Sequence, residues 1–493
     1  MISVKARSHC VPLSALTGLL PHELFLRLAD EPRLFWLDSG APNLSEQWSY
    51  FGWNPTRRIE LFPDRICRWD SRTSSPTNDY SERRPSADKL WRDFVRLLKP
   101  NAAPPPPDSA SPPFRGGWVG YLGYDYNRWF EGRKRDEQDK FPLMSFSFYD
   151  LVLAFSHRDA SWWASILLPD TASPAELSAR IEQLMAEIET FCRRPQHVFP
   201  RPPRRQATAS MSRERYESNV TRALEYIAAG DIYQINLALR FSVPWDLSPA
   251  ALYWWLRAIS PAAFGAFLGA DLAGSGSALC SISPELFLRV RGNEVSTRPI
   301  KGTRPRGLTQ RDILAARREL ETNAKERAEL NMIVDLERND LGRVCAYDSV
   351  RVSSAGQIEE LPTLLHRVAT VTGQLNPRHS RARLISAMFP GGSITGAPKI
   401  RAMQIIDELE STPRGPYCGV IGWLGVDGNL DLSIAIRTAL YDGAQRVAYY
   451  HAGSGIVADS DPAAEYDETL QKAAAFLRAT NATLNPRRRR KIS

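Results

Sequence analysis

The stretch GVIGWLGVDGNLDLSIAIRTALYDGAQRVAYYHAG, residues 419–453, contains three apolar β-like runs in succession. The runs are GVIGWLGV, LSIAIRTALY and RVAYYHAG, and ELFLRV at 285–290 is a further run of the same kind. Short turns separate the three runs, and helical patterns alternate with such runs from about residue 210 onward. This arrangement favours antiparallel sheet with helices packed outside it.

The bulk composition is that of an ordinary soluble globular protein. The chain has 493 residues, 43% of them hydrophobic and 24% charged, which is enough for two or three domains or one interwoven unit. No apolar run approaches the ~18 residues of a membrane helix, and the N-terminus lacks a signal-peptide cleavage site. Six cysteines without a C-x-x-C pair predict neither disulfides nor a zinc site. We therefore expect a cytoplasmic protein that does not bind a membrane.

The net charge of +8 comes from two arginine-rich segments that also suggest domain boundaries. One is a Pro/Arg linker at 191–209, and the other is a basic tail at 481–493. Together they hold ten basic residues and leave the rest of the chain slightly acidic, so we expect no nucleic-acid binding. The linker divides an N-terminal region, 1–190, from a catalytic region, 210–480.

Two predicted helices each carry a pair of acids three residues apart. The pairs are Glu326 with Glu329 and Glu465 with Glu468. Positions i and i+3 share a helix face, so each pair can direct two carboxylates the same way. Two such helices facing each other would suit Mg²⁺, which prefers oxygen ligands. The alternative is that these acids are ordinary surface residues.

Two small-residue segments are candidate anion sites. FPGGSITGAPKIRAMQIIDELE, 389–410, predicts a Gly-rich turn that opens a helix near Pro398, with Thr395 as a hydroxyl donor. HAGSGIV, 451–457, predicts a second turn where a ligand approaches the backbone. Arg437 lies between them in the predicted strand LSIAIRTAL, where a charge is either at an edge or paired with an anion. The residues of the second turn are Gly453, Ser454 and Gly455.

These stretches, with TRPIKGTRPR, RAELNMIVDLERNDLGRV and AGSGIVADSDPAAEYDET, closely resemble the chorismate-utilising enzymes. The family includes anthranilate, aminodeoxychorismate, isochorismate and salicylate synthases. The resemblance runs in order from about 211 to 477 and implies an α+β fold. In that fold, two large antiparallel sheets pack as a sandwich surrounded by helices, and both chain regions contribute strands.

The resemblance implies a role for each matching position. The two acid pairs match the magnesium ligands, with Glu329 and Glu468 the direct ones. The positions that match groups around chorismate are Gln234, Thr303, His366, Thr395, Tyr417, Arg437, Gly453, Ser454 and Gly455.

Two positions indicate the branch of the family. Members that add water carry a lysine base where this chain has Gln234, and an amide cannot take a proton from water. At the position where this chain has PIKGT, anthranilate synthases resemble PIAGT and aminodeoxychorismate synthases resemble PIKGT. Lys301 is therefore implied as the nucleophile that attacks ring carbon C2. Glu285, sixteen residues earlier, matches the acid for the leaving C4 hydroxyl, and the spacing suggests two adjacent antiparallel strands. Anthranilate synthase component I is the alternative.

A nucleophilic lysine at 301 must lose its proton near neutral pH. An amine with a pKa near ~10.4 has to be brought to roughly 7–8 by burial or by neighbouring positive charge. Ammonia then attacks C4 and expels the lysine. No cysteine lies in a G-x-C-x-G turn, so a partner glutamine amidotransferase is implied as the ammonia source.

A tryptophan pocket is implied in the N-terminal region. WLDSGAPNLSEQWSYFGW, 36–53, lies where family members bind tryptophan. Ser39 and Phe51 are its candidate lining.

Overall fold

The computed structural model describes residues 6–40, 47–71, 82–83, 95, 98, 111–127, 141–272, 276–360 and 364–484. Their strands, numbered along the chain, are β1 Ala6–Pro12, β2 Phe35–Asp38, β3 Trp48–Gly52, β4 Arg57–Leu61, β5 Arg65–Asp70, β6 Glu82–Arg83, β7 Gly117–Leu122, β8 Met144–Tyr149, β9 Leu151–Ser156, β10 Ser161–Pro169, β11 Arg205–Ala209, β12 Gln234–Pro244, β13 Phe264–Leu272, β14 Ser277–Ser283, β15 Leu286–Arg291, β16 Glu294–Arg298, β17 Ile300–Pro305, β18 Arg351–Glu360, β19 Leu364–Gln374, β20 Gly396–Ala397, β21 Val420–Gly425, β22 Leu430–Ile434, β23 Thr438–Asp442, β24 Val447–Ile456 and β25 Ala482–Leu484.

Seven of the nine described helices begin after a residue whose side chain caps them. The nine helices are α1 Pro21–Leu28, α2 Pro174–Arg193, α3 Arg213–Ala228, α4 Pro249–Ile259, α5 Gln310–Thr322, α6 Ala324–Gly342, α7 Arg381–Met388, α8 Lys399–Leu409 and α9 Pro462–Ala479. Asn323 and Asp461 accept hydrogen bonds from the first turns of α6 and α9, which fixes where these two helices start. No helix in the described ranges has the length and apolar character needed to cross a membrane.

The strands form two large, mostly antiparallel sheets, as expected from the sequence. Sheet A has the order β1-β10-β9-β3-β2-β13-β14-β23-β24-β12-β11-β25, with β20 beside β12. Sheet B has the order β17-β19-β16-β15-β22-β21-β7-β8-β4-β5-β6, with β18 beside β19. Among the described strands, β11 and β25 are the one parallel pair.

Each sheet contains strands from both regions of the chain. β1–β3, β9 and β10 belong to sheet A, and β4–β8 belong to sheet B. Helices α3, α4 and α9 pack against the core strands of sheet A, while α6 and α7 pack on sheet B. The N-terminal and catalytic regions are therefore interwoven through shared sheets.

Part of the predicted linker is ordered structure. Residues Arg205–Ala209 form β11, and Arg205 pairs with Asp246 and stacks on Trp245. Arg194 pairs with Glu31 at 2.5 Å. Both arginines pair with acids of the folded unit, so this part of the predicted linker is tied to the rest of the fold. β25 occupies the start of the predicted tail, and the arginines at 487–490 lie outside the described residues.

The predicted strand LSIAIRTALY is two strands in different sheets. β22 ends at Ile434 in sheet B, and β23 begins at Thr438 in sheet A. The chain crosses from one sheet to the other at 435–437. Period-2 alternation cannot reveal this crossing, because buried residues continue on both sides of it.

Candidate active site

Lys301 lies in a cleft where sheet B meets sheet A and the N-terminal turns of α6 and α9. It is on β17, and 17% of its side chain is exposed. Its Nζ is 3.8 Å from Glu329 Oε2 on α6. Gln234 at the start of β12 and Gly455 on β24 lie on the opposite side, since a Cβ built on Gly455 would be 3.9 Å from Lys301 Nζ and 3.1 Å from Gln234 Nε2.

Gly302 explains how α6 can approach this lysine so closely. Its φ of +87° lies in the left-handed region, and a Cβ there would be 2.6 Å from Glu326 Oε2. A larger residue would meet both backbone strain and the carboxylate. The order Lys301, Gly302, Thr303 therefore places a lysine on β17 and leaves room beside it for the Glu326 carboxylate.

The surroundings of Lys301 lower its pKa. Burial is the largest cause, and the nearby ammonium of Lys472 acts in the same direction. The carboxylate of Glu329 opposes both effects. The net direction favours a neutral amine, which is the form that can act as a nucleophile.

Glu285 is a buried carboxyl within electrostatic range of Lys301. It is 4% exposed, and Ser393 Oγ donates a 2.7 Å hydrogen bond to its Oε1. Burial raises the pKa of Glu285 to about 7, although Ser393 and Lys301 lower it. A carboxyl with this pKa holds a proton near neutral pH and can donate it.

β15 and β16 form the predicted antiparallel hairpin, with Leu286 opposite Arg298. β16 and β17 lie end to end along β19, since Thr297 is opposite Val371 and Ile300 is opposite Val368. Glu285 and Lys301 therefore lie just beyond the same end of the hairpin, although β15 and β17 are not themselves paired among the described strands.

The two acid pairs lie near the starts of α6 and α9, as the sequence predicted. Glu326 accepts a 2.8 Å hydrogen bond from Arg304 through Oε1. Glu465 accepts a 2.6 Å hydrogen bond from Ser460. Glu468 pairs with Lys472 at 2.8 Å; burial raises its pKa, but Lys472 outweighs this and the pKa is lowered.

The donor chemistry of these acids fits Mg²⁺. All four are carboxylates, and Glu326 Oε2 and Glu465 Oε2 are buried without a hydrogen-bond partner among the described residues. Such orphaned oxygens on two helices are suitable ligands for a hard cation. In the present side-chain arrangement, the described residues bring no three acidic, histidine or cysteine side chains together, and Glu329 and Glu468 face lysines instead.

Thr303 and His366 form a pair on adjacent strands. The Thr303 hydroxyl and His366 Nδ1 are 2.8 Å apart, and the histidine is 2% exposed. Burial, together with the charge of Arg437, lowers the pKa of His366 to about 3, so its ring is neutral. Its Nε2 has no partner in the described part of the chain, which leaves one polar atom for a ligand.

Arg437 is not in a strand, contrary to the prediction. It lies in the crossing between β22 and β23 with a φ of +49°. Its carbonyl accepts a hydrogen bond from Ile282 N–H at 3.1 Å, which holds it at the end of β14. The guanidinium is within electrostatic range of Glu285 and His366. A left-handed arginine at a sheet crossing is a local strain typical of functional sites.

The segment HAGSGIV is a strand rather than a turn. β24 continues to Ile456 and pairs with β12, with Asn236 opposite Gly455. Gly453 and Gly455 therefore share the inter-sheet face. Ser454 points to the other face of the sheet, toward α3, where its hydroxyl forms a 3.1 Å hydrogen bond with Tyr216 OH. Only the backbone of Ser454 can face a ligand in the cleft.

Two further predicted residues are buried. Thr395 is fully buried and donates a 2.9 Å hydrogen bond to Gly391 O. Tyr417 is 6% exposed and stacks on His451, with ring centroids 5.0 Å apart. The turn at 389–398 leads into α8 as expected, and no side chain in the described residues caps that helix.

The sequence analysis missed two residues of the cleft. Lys472 lies one helical turn after Glu468 and donates to Gly453 O at 3.0 Å. The E-x-x-x-K spacing was a visible signal for this pair. Ser393 lies in the Gly-rich turn that the sequence indicated, but its bond to Glu285 joins residues more than a hundred positions apart.

A separate cavity of about 330 Å³ lies between the sheets and is lined by residues of both chain regions. Ser39 lines it, and its hydroxyl donates to Trp48 O at 2.8 Å. Phe51 does not, because its side chain is on the opposite face of β3, stacked on Trp36 in the core. The cavity-facing aromatic residues of this strand are Trp48 and Tyr50. Assigning Phe51 to this pocket was wrong by one position of strand alternation.

Comparison with known proteins assigns the family. Residues 41–478 match the model of the chorismate binding enzyme family. The chain belongs to the chorismate-binding enzymes. It is 39% identical over 377 residues to aminodeoxychorismate synthase component 1 of Bacillus subtilis, covering 75% of this chain and 77% of that protein.

Other chorismate-binding enzymes match at a similar level. Anthranilate synthase component 1 of Thermus thermophilus is 39% identical over 468 residues, covering 93% of this chain and 95% of that protein. The crystal structure of anthranilate synthase component I from Streptococcus pneumoniae superposes with a TM-score of 0.71 at 29% identity, covering 88% of this chain and 93% of that one. Overall similarity establishes the fold and the family, and both branches fit it equally well.

Proposed function

We propose that this chorismate-binding enzyme is an aminodeoxychorismate synthase component I, which converts chorismate and ammonia to 4-amino-4-deoxychorismate. The observation that supports this most is the position of Lys301, a largely buried amine inside the cleft, 3.8 Å from Glu329. Gln234, at the position where water-adding relatives would carry a lysine base, is 1% exposed and faces the same cleft. A glutamine there cannot activate water.

Lys301 acts as the nucleophile in this proposal. Its neutral amine attacks ring carbon C2, the double bond shifts, and the C4 hydroxyl leaves as water. Glu285 donates the proton that this hydroxyl needs, because its raised pKa keeps it protonated near neutral pH. Ammonia then attacks C4 and expels the lysine, which restores the ring double bond and the free enzyme.

The remaining residues bind the substrate. Arg437, Tyr417 and the backbone at 453–455 hold its carboxylates, and His366 offers its unpaired Nε2 to a substrate oxygen. Glu329 and Glu468 would bind Mg²⁺ directly, with Glu326 and Glu465 beside them. When bound, Mg²⁺ supplies positive charge against a substrate carboxylate. In its absence, Glu329 lies 3.8 Å from the Lys301 amine and Glu468 pairs with Lys472.

The ammonia comes from a partner glutamine amidotransferase. The cysteines of this chain support no nucleophile turn of its own: Cys280, Cys345 and Cys418 are buried, and burial raises the pKa of each thiol. A thiol with a raised pKa is a poor nucleophile. The separate 330 Å³ cavity is proposed to bind tryptophan, with Ser39 and Tyr50 in its wall.

The decisive experiment is an intact-protein mass spectrum after incubation with chorismate and Mg²⁺ without ammonia. We expect an adduct with the mass of chorismate less one water on the wild type and none on Lys301→Ala. Lys325→Ala is the matched control, because Lys325 is an exposed lysine on the first turn of α6. Undiminished amination by Lys301→Ala would contradict the proposal.

Anthranilate synthase component I is the second candidate. It is favoured by relatives of that name that cover 93% of the chain. The product separates the two: anthranilate is formed by amination at C2 with loss of pyruvate, whereas aminodeoxychorismate retains the enolpyruvyl group. Mass analysis of the small-molecule product with ammonium salt therefore gives the answer.

A further inference from the structure

A second buried carboxyl lies behind Glu285 and has no role in the proposed reaction. Glu337 is on α6 and is 4% exposed. It lies one turn after Ile333 and one turn before Leu341, on the face of α6 that packs into the core. Burying a carboxyl group on an apolar helix face costs free energy unless the group is hydrogen-bonded or paired.

The contacts of Glu337 lead to the Gly-rich turn. The backbone N–H of Gly392 donates to its carboxyl group. A Cβ on Gly392 would lie 3.7 Å from Glu337 Oε1 and would collide with Leu336. The other oxygen, Oε2, has no hydrogen-bond partner among the residues described here. Glycine at 392 is therefore what allows the turn to rest on this helix.

The same turn holds the proposed catalytic acid. Ser393, the residue after Gly392, donates its hydroxyl to Glu285 Oε1 at 2.7 Å. Two buried carboxyls thus bind consecutive residues of one turn, Glu337 through the backbone and Glu285 through a side chain. A shift of the turn on Glu337 would carry Ser393 with it.

The charges around the two carboxyls are few. Glu337 faces Lys399, Asp340 and Glu285, and Lys399 is itself bound to Asp340 at 2.7 Å. Arg343 also binds Asp340, so that carboxylate is neutralised by two cations.

Glu285 faces Lys301 and Arg437, besides Ser393 and the backbone of Ile300. Burial, together with the negative charges of Asp340 and Glu285, raises the pKa of Glu337 to about 8, although Lys399 and the Gly392 N–H lower it. The two carboxyls therefore titrate as an interacting pair.

We propose that Glu337 is a positioning residue for Glu285: it anchors the turn at 391–394, so that the Ser393 hydroxyl stays aligned on the Glu285 carboxyl. This rests on the proposed function, in which Glu285 is the proton donor. Because the pKa of Glu337 is about 8 and that of Glu285 is about 7, Glu337 is mostly protonated while Glu285 titrates, and it acts on Glu285 through the turn.

Three variants test the proposal. Glu337→Gln keeps the shape and the acceptor for Gly392 N–H but cannot ionise. Glu337→Leu removes both the acceptor and the charge. Asp335→Asn is the matched control, since Asp335 is 70% exposed on the same helix and pairs only with Arg338 among the described residues.

The primary readout is independent of catalysis. Infrared difference spectra of the carboxylic-acid C=O band, titrated from about pH 5 to pH 10, follow buried carboxyls directly. A Glu285→Gln spectrum assigns the Glu285 band. We expect this band to titrate at higher pH in Glu337→Leu than in wild type, Glu337→Gln or Asp335→Asn, because the Ser393 hydrogen bond that lowers the pKa of Glu285 is lost. An unmoved Glu285 band would overturn the proposal.

Turnover of chorismate is the second readout. The alkaline limb of the rate should move with the band in Glu337→Leu, and this variant should also lower kcat about tenfold with little change in KM, because Ser393 loses its alignment. Glu337→Gln keeps the acceptor for Gly392 N–H and should change neither. A shift of the Glu285 infrared band without a shift of the alkaline limb of the rate would refute Glu285 as the proton donor, and with it the positioning role. Absence of turnover in wild type, with the band shift present, would locate the failure in the proposed function alone.

Discussion

The buried ion pair of Arg414 and Glu410 should be one of the main stabilising contacts around the cleft. Their side chains are 1% and 7% exposed, and Arg414 Nη2 is 2.7 Å from Glu410 Oε1. Arg414 also donates to Ile394 O at 3.0 Å and to Asn236 O at 2.7 Å. Glu410 accepts from Ala238 N–H at 2.9 Å. One pair thus joins the Gly-rich turn, the end of α8 and β12.

Removing one partner leaves a buried charge without its counter-ion. Such changes cost about 3–5 kcal/mol, because the remaining ion is desolvated and unpaired. With an unfolding entropy of about 2.1 cal/mol/K per residue, a chain of this length has about 1 kcal/mol/K in total. We therefore expect Arg414→Met or Glu410→Met to lower the melting temperature by about 3–5 °C.

The double variant separates pairing from simple loss of contacts. With both charges gone, the destabilisation should fall short of the sum of the single losses by about 2 kcal/mol or more. Calorimetry at neutral pH gives the three values. Asp335→Asn, which breaks an exposed pair on α6, should cost less than about 1 kcal/mol. Additive losses in the double variant would show that the two charges are not coupled, and the reasoning would fail.

Four further outcomes are expected. At constant free ammonia, turnover should fall as the pH rises above about 7, because the pKa of Glu285 is about 7 and the proton donor is its protonated form. Glu285→Gln should turn over about 10²–10⁴-fold more slowly, and its rate should not show this fall above pH 7. Gly455→Ala should mainly impair chorismate binding, since its Cβ faces Gln234 and Lys301. Gly453→Ala should mainly destabilise the fold, since its Cβ meets the β12 backbone. A melting curve and a KM for each variant distinguish the loss of stability from the loss of binding. Chelation of Mg²⁺ should abolish turnover, and added Mg²⁺ should restore it, with unchanged melting temperature of the metal-free protein as the control. Tyr50→Ala should weaken tryptophan binding measured by calorimetry without changing turnover, and equal affinity in both proteins would exclude this cavity.

The sequence predicted the features that depend on local spacing. The acid pairs on α6 and α9 were found because an i, i+3 spacing places two side chains on one helix face wherever the helix lies. The antiparallel sheets followed from apolar runs joined by short turns. The interweaving of the two chain regions came from the family resemblance, since composition alone suggested a linker between separate units.

The errors arose where a local pattern was compatible with two structures. Phe51 and Tyr50 are both aromatic and both buried, so the sequence could not show which one faces the cavity. HAGSGIV has the small residues of a turn, but glycines in a strand serve the same need for close backbone approach. Arg437 lies at a crossing between sheets that alternation does not mark.

The environment of Lys301 explains why family resemblance could identify this lysine while local sequence patterns could not. Its neighbours Glu329, Lys472 and Gly455 come from α6, α9 and β24, more than 25 positions away along the chain. No window of sequence contains the desolvation and positive charge that lower its pKa. The one local contribution is Gly302, whose missing side chain lets the carboxylate of Glu326 approach. A motif can therefore specify the lysine and the space beside it, while the fold supplies the burial and the charge that lower the pKa of the amine.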